Sequence, residues 1–304
     1  MGEYVHVPVM PDECIRGLNI KPGGVYLDGT AGLGGHSSLI AEKCGRLIAL
    51  DRDEDAIEAC KARLAPFGGK VTLVRSDFRD MTAVLDELNV EKLDGVLLDL
   101  GVSSLQLDKP ERGFSYRYDA PLDMRMDGRG SLTADEIVNT WSKEALCRIL
   151  YDYGEERYAP QIAAGIMRAR PINGTARLAE VIISSMPGKG RREPQHPARR
   201  TFQALRIAVN DEFEAVSQGV RAAIDRLAPG GRICVLTFHS LEDRIVKRVF
   251  AEAASGCKCP PAFPACVCGI KPEVKTLPKA EPSAEEKAIN PRAASARLRV
   301  AEKF

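Results

Sequence analysis

Four short apolar runs in the first hundred residues each stop at or beside an aspartate, and this repetition constrains the fold more than any other feature. They are Val25-Tyr26-Leu27-Asp28, Leu47-Ile48-Ala49-Leu50-Asp51, Val71-Thr72-Leu73-Val74 ahead of Ser76-Asp77, and Val96-Leu97-Leu98-Asp99. Apolar runs of this length suit strands buried on both faces, and their alternation with helical stretches predicts a parallel, doubly wound α/β sheet. In such a sheet the carboxyl ends of the strands share one edge, and that edge binds ligands. Asp28, Asp51, Asp77 and Asp99 are therefore expected along a single ligand-binding edge.

Between the first run and the first helix lies Asp28-Gly29-Thr30-Ala31-Gly32-Leu33-Gly34-Gly35-His36-Ser37. Glycines let the backbone approach a ligand closely, and the free N–H groups of a helix start face it, so this is a candidate nucleoside-cofactor cradle. An ordinary glycine-rich turn is the alternative. A dinucleotide fingerprint needs G-x-G-x-x-G, and Ser37 stands where the third glycine belongs. The leading acid and the spacing Asp28-x-x-x-Gly32-x-Gly34 look more like motif I of class I S-adenosylmethionine (AdoMet) methyltransferases, with Thr30 departing at the first glycine. Asp51, at the second strand tip, is placed to accept ribose hydroxyls, or else to cap the helix that follows. In methyltransferases an acid near the third strand end binds the adenine amino group and a neighbouring apolar side chain covers the ring. Here those residues are Asp77 and Phe78, with core packing the alternative for Phe78.

From about Lys109 to Arg206 there is no strand-like run. Helical stretches run from about Lys143 to Tyr153, Ala159 to Ala169 and Thr175 to Ser184, and Thr133-x-x-Glu136 has capping-box spacing. The simplest organisation is a sheet domain over 1–108 and 207–304 with a helical insert at 109–206. The insert ends in a basic stretch with Lys189, Arg191, Arg192, Arg199, Arg200 and Arg206 against Glu193 alone. Glycines and prolines between the cations suit a loop that grips phosphate, with a solvated linker as the alternative.

After a helix over Glu212–Leu227 and a Pro229-Gly230-Gly231 turn, Ile233-Cys234-Val235-Leu236-Thr237-Phe238 is a fifth strand. His239-Ser240-Leu241-Glu242-Asp243 follows its tip, with Ser240 and Asp243 at capping-box spacing. His239 faces the same edge, where a base-contacting and a structural role both stand. Cys257, Cys259, Cys266 and Cys268 form two C-x-C pairs in a proline-rich loop. Four such thiolates can hold a structural zinc; reduced thiols or a redox pair are the alternative. Two final strands are expected at Val274–Leu277 and Ala296–Ala301, with the polar loop Asn290–Ser295 between them.

Composition narrows the partners. A net charge of +1 over 304 residues draws the chain to neither nucleic acid nor membrane as a whole, so any basic surface is local. No apolar run approaches the roughly 18 residues of a membrane span, and the start lacks signal-peptide character. The other cysteines are scattered singly, which favours a cytoplasmic chain.

Several of these segments together resemble the RsmH/MraW family of bacterial 16S ribosomal RNA cytosine-N4 methyltransferases. They are His6-Val7-Pro8-Val9, the Asp28–Ser37 loop, Asp99-Leu-Gly-Val-Ser-Ser-x-Gln106-Leu-Asp, and Arg112-Gly-Phe-Ser115. Arg199-Arg200-Thr-Phe-Gln-Ala-Leu-Arg206, Phe238-His239-Ser240-Leu-Glu-Asp243 and Asn290-Pro-Arg292 complete the set, which spans nearly the whole chain. The resemblance implies a class I methyltransferase with a mostly parallel seven-stranded sheet and a helical insert that recognises RNA. It implies AdoMet as donor and a cytosine in the decoding region as acceptor, and Gly34, Gly35, His36, Asp51, Phe78, Asp99 and Gln106 as cofactor contacts. The implied partner is 16S rRNA or the small ribosomal subunit, without a membrane; a homodimer is compatible with it. The cysteine loop recurs in many members but not all, so zinc is not required for the activity.

Asp99 and the Val102-Ser103-Ser104 turn are expected to line the reacting amine, making Asp99 and Ser103 the catalytic candidates. They stand in place of the Asp/Ser-Pro-Pro-Tyr motif of many amino-methyltransferases, whose prolines and tyrosine are absent. Arg191, Arg192, Arg199, Arg200, His239, Asn290 and Arg292 are the candidate RNA contacts. Three rival functions are a small-molecule AdoMet methyltransferase with the insert as a lid, an NAD(P) oxidoreductase, and a non-catalytic RNA-binding assembly factor. The missing third glycine opposes the second, and the intact set of acids opposes the third.

Overall fold

The computed structural model describes residues 8–192, 194–255, 259–260, 263–265 and 267–304, apart from the Arg192 side chain. The strands are β1 (Val25–Asp28), β2 (Arg46–Asp51), β3 (Val71–Arg75), β4 (Leu93–Asp99), β5 (Leu227–Thr237), β6 (Val274–Thr276) and β7 (Arg297–Lys303). They form one seven-stranded sheet in the order β3-β2-β1-β4-β5-β7-β6. The first five in that order run parallel, and β7 is antiparallel to both β5 and β6. The expected mostly parallel sheet is therefore present.

Side chains alternate between two cores, which explains why the strands read as unbroken apolar runs. Leu27, Ile48, Leu50, Val96, Leu98 and Val235 enter one core. Tyr26, Leu47, Ala49, Leu97, Cys234 and Leu236 enter the other. The second is covered from α1 (Pro11–Leu18), α2 (Gly35–Lys43) and α3 (Glu54–Leu64); the first by residues of α4 (Met81–Glu87) and of two later helices. Buried Cys14, Cys44, Cys60 and Cys234 pack as small apolar groups, and burial pushes each thiol pKa up, keeping it protonated and inert.

The chain divides into two compact units, one of 1–101 with 213–304 and one of 102–212. The insert read from sequence, 109–206, lies inside the second. This unit holds α5 (Ser104–Asp108), α6 (Ala134–Thr140), α7 (Lys143–Gly154), α8 (Ala159–Ala169), α9 (Thr175–Ser185) and α10 (Arg199–Asn210) around its own apolar core. Thr133 caps α6 by accepting from the Glu136 N–H, and Ser142 caps α7. The sheet unit resumes along α11 (Glu212–Arg226), then α12 (Ser240–Ser255) and α13 (Ala284–Ile289).

One local expectation changes. The Pro229-Gly230-Gly231 turn is absorbed into β5, whose Leu227 already pairs with Leu93 before Arg232 pairs with Gly95. The extra residues bulge out between these two pairings, so strand pairing brackets the turn instead of following it.

Candidate functional site

Strand order reverses between β1 and β4, and in open α/β sheets ligands bind at the carboxyl edge of such a switch. Asp28 ends β1 and turns inward. It is fully buried, one oxygen accepting from the Ser37 hydroxyl at 2.6 Å and the other from the Thr30 N–H at 3.1 Å. Burial raises its pKa, and the bond from Ser37 is the main opposing influence. Thr30 in turn accepts from the Asp99 N–H through its hydroxyl, at 2.6 Å. Thr30 and Ser37, the two departures from a glycine fingerprint, are thus the residues that lock the loop to the β1 and β4 tips. Their hydroxyls were the sequence signal for this role.

Gly34 adopts φ +76° at the start of α2, where a Cβ would also lie 3.0 Å from the Cys60 sulfur. That left-handed conformation favours glycine strongly. Asp51 receives the Gly32 N–H at 2.8 Å on one oxygen and the Asp53 N–H at 2.9 Å on the other. Burial pushes its carboxyl up to about 6. The cap of α3 is Asp53, which accepts from Asp55 N, so Asp51 is not the helix cap. Each Asp51 oxygen keeps a second lone pair for a further donor.

His36, in the first turn of α2, is 6% exposed, and its Nε2 lies 3.6 Å from Asp99 Oδ2. Burial acts to lower the His36 pKa, but the neighbouring Asp99 and Asp28 carboxylates outweigh it and hold the imidazole above its ordinary value. Asp99 Oδ1 and both His36 ring nitrogens are buried with no hydrogen-bond partner among the described residues. Buried polar groups are normally satisfied. Above Gly32 nothing lies closer to an added Cβ than the Thr30 carbonyl at 3.9 Å. The edge thus combines open glycine backbone, a carboxylate at a strand tip and a buried His36 beside half-buried Asp99, with hydrogen-bonding capacity to spare. These features suit a polar nucleoside ligand such as AdoMet.

The structure gives the surroundings of Asp77 and Phe78 at the third strand end. Asp77 caps the short turn Phe78–Asp80 and pairs with Arg52 at 3.1 Å. Phe78 is 9% exposed in the core, so close to α11 that a Cβ on Gly219 would fall 2.3 Å from its ring.

At the β5 tip the expected Ser240–Asp243 box is replaced by His239 and Glu242. Glu242 is buried and accepts from the Phe238 and His239 N–H groups, while His239 Nδ1 accepts from the Glu242 N–H at 3.4 Å. His239 Nε2 lies 2.9 Å from the Glu242 carboxylate. Asp243 instead receives Arg299, at 2.6 and 2.8 Å. The reason is geometric: the helix begins at Ser240, which leaves His239 as its cap. Asn290 accepts from the Arg292 N–H and caps the turn Pro291–Ser295.

In the helical unit, Ser103 and Gln106 bond reciprocally as the capping box of α5. Arg191 donates to the Met186 and Ser184 carbonyls, closing the end of α9. Arg199 is exposed and Arg200 half-buried in the first turn of α10. Of the cysteine loop, Cys257 and Cys266 lie outside the described residues, while Cys259 and Cys268 are half-buried. Among the described residues no group of three or more His, Cys, Asp or Glu could hold a metal ion. No helix among them is long and apolar enough to cross a membrane.

Residues 3–304 match the family model described as the MraW methylase family. Among curated relatives, the Ribosomal RNA small subunit methyltransferase H of Carboxydothermus hydrogenoformans is 52% identical over 99% of both chains. The protein of the same name from Heliobacterium modesticaldum is 53% identical over 99% of both. That of Brevibacillus brevis is 52% identical over 99% of this chain and 98% of its own.

Proposed function

The chain belongs to the MraW methylase family, and from that membership we propose that it transfers a methyl group from AdoMet to the exocyclic N4 of a cytidine in the decoding region of 16S ribosomal RNA. The names of its relatives, which specify small-subunit ribosomal RNA, support the acceptor. The observation that carries the chemistry is Asp99, at the switch point of the sheet with a buried carboxylate oxygen that has no partner among the described residues.

Bound AdoMet supplies an electrophilic methyl on a sulfonium. Asp51 accepts the ribose hydroxyls, and Gly34 and Gly35 let the backbone at the start of α2 approach the donor closely. Asp99 Oδ1 accepts a hydrogen of the cytosine amine, which draws the nitrogen lone pair out of ring conjugation and along the line of attack. The bound donor would supply its methyl group to the amine nitrogen, and Asp99 would take up the proton that the methylated amine gives up. His36, whose imidazole the neighbouring Asp99 carboxylate pulls above its ordinary pKa, stays beside that carboxylate and orients it. Positioning supplies most of the acceleration. Gln106 and Ser103 act through the start of α5, which they cap together. Arg191, Arg192, Arg199 and Arg200 provide phosphate contacts, joined by Arg292, and the setting is the cytoplasm, where ribosomal subunits are assembled.

Tritiated methyl transfer from AdoMet to purified 30S particles and to protein-free 16S RNA, followed by nucleoside analysis, tests the proposal. Label in N4-methylcytidine is expected. AdoMet binding with neither RNA labelled, although the sites are unmodified, would overturn the acceptor.

A further inference from the structure

The helical unit contains an aromatic column that the phosphate-binding role of its basic segment does not use. Tyr116 and His196, far apart in sequence, stack face to face with ring centroids 4.2 Å apart and planes 9° from parallel. Tyr116 meets Phe202 edge-on at 5.4 Å and 87°, and Phe202 is buried in the core of the unit. The column therefore runs outward from buried Phe202, through half-buried Tyr116, to exposed His196.

His196 is held in place. Its Nδ1 accepts from the Ala198 N–H at 3.2 Å, which fixes the ring and leaves the hydrogen on Nε2. Burial lowers its pKa, so the ring is neutral at physiological pH. Gln195, Pro197, Arg199 and Arg200 line the same surface depression as His196. Glu156 also borders it, but its carboxylate is buried and accepts from the Tyr158 N–H. A stack serving the fold alone would bury its outermost ring, because the gain comes from removing apolar surface from water. Here the outermost ring is exposed, rigid and neutral, with a cation three residues further along the chain. Unpaired bases stack on such rings while cations hold the backbone beside them.

We propose that Tyr116 and His196 form a stacking platform for one unpaired base of the RNA substrate, with Arg199 holding a flanking phosphate. This rests on the methyltransferase reading above and adds to it a recognition element in the helical unit.

The test uses the full chain and two fluorescein-labelled single-stranded oligoribonucleotides, one of mixed sequence and one with abasic riboses throughout. Wild type is expected to bind the base-bearing strand roughly ten-fold more tightly. His196→Ala removes that preference without changing the salt slope, because the lost ring is neutral. His196→Trp keeps it, which separates loss of the platform from a folding defect. Arg199→Gln keeps the preference but flattens the salt slope by about one unit. An undiminished preference in His196→Ala, or an equal loss in His196→Trp, overturns the platform. Methyl transfer by wild type is measured alongside. Labelled N4-methylcytidine without any base preference overturns the platform alone, whereas absence of both RNA binding and methyl transfer overturns the platform and the reading beneath it.

Discussion

At the sheet edge, Asp28, Asp51 and Asp99 each end a strand, and each is tied to the glycine loop by short bonds: Ser37 and Thr30 to Asp28, Gly32 to Asp51, Thr30 to the Asp99 N–H. In the basic segment of the helical unit, Arg199 lies exposed, and Arg191 is anchored to the carbonyls closing α9. The difference separates two uses of charge. A buried, preorganised carboxylate acts in a low dielectric and can discriminate by fractions of an ångström. An exposed cation acts over roughly a Debye length, is screened by salt, and discriminates little.

The sharpest break of this comparison is Asp99→Ala. Single-turnover methyl transfer at saturating AdoMet is expected to fall at least about 100-fold, and a normal rate would remove Asp99 from the chemistry. Asp51→Asn comes next, with AdoMet affinity falling by roughly 10- to 100-fold, measured calorimetrically. The pH profile sharpens this test. Burial raises the Asp51 carboxyl from 3.8 to about 6, and in the proposed role it accepts from ribose hydroxyls as the ionised form. AdoMet affinity should therefore fall as pH drops through about 6, by up to about ten-fold per unit, while Asp51→Asn stays flat. In the ligand-free chain the sign is opposite. A raised folded-state pKa gives a stability contribution fully present below 3.8 and lost as pH rises through about 6.

A smaller effect is expected on the basic side. Arg199→Ala with Arg200→Ala should weaken RNA binding about ten-fold in moderate salt and flatten the salt slope by about two units, leaving AdoMet affinity unchanged. An unchanged slope would mean that these cations meet no phosphate. Smallest is Ser103→Ala, which removes the α5 cap and should cost about 1 kcal/mol in chemical denaturation. A loss of transfer rate far beyond that cost would give Ser103 a part in the chemistry itself.

Much of the edge was legible in the chain because strand ends and glycine loops are local. The acids at Asp51 and Asp99 follow from apolar runs that stop, and helices such as α7, α8 and α9 follow from periodicity and caps. Which acid faces outward was not legible. Asp28 and Asp51 look alike in sequence, and only the hydroxyls of Ser37 and Thr30, brought in by the folded loop, turn Asp28 inward. The same holds at the β5 tip, where Ser240 and Asp243 have the right spacing for a cap but the helix starts one residue earlier in register with His239 and Glu242.

The sequence by itself determined the alternation of strands and helices, the acidic strand ends, the helical interruption after Asp99 and the family, since each depends on neighbours in the chain or on long matching segments. The tertiary structure alone decided which carboxylate is locked away, that Phe78 packs in the core against Gly219, that His36 meets Asp99, and that Tyr116 stacks on His196. These contacts join residues distant in sequence, and burial and hydrogen-bond satisfaction exist only once the chain has closed around them.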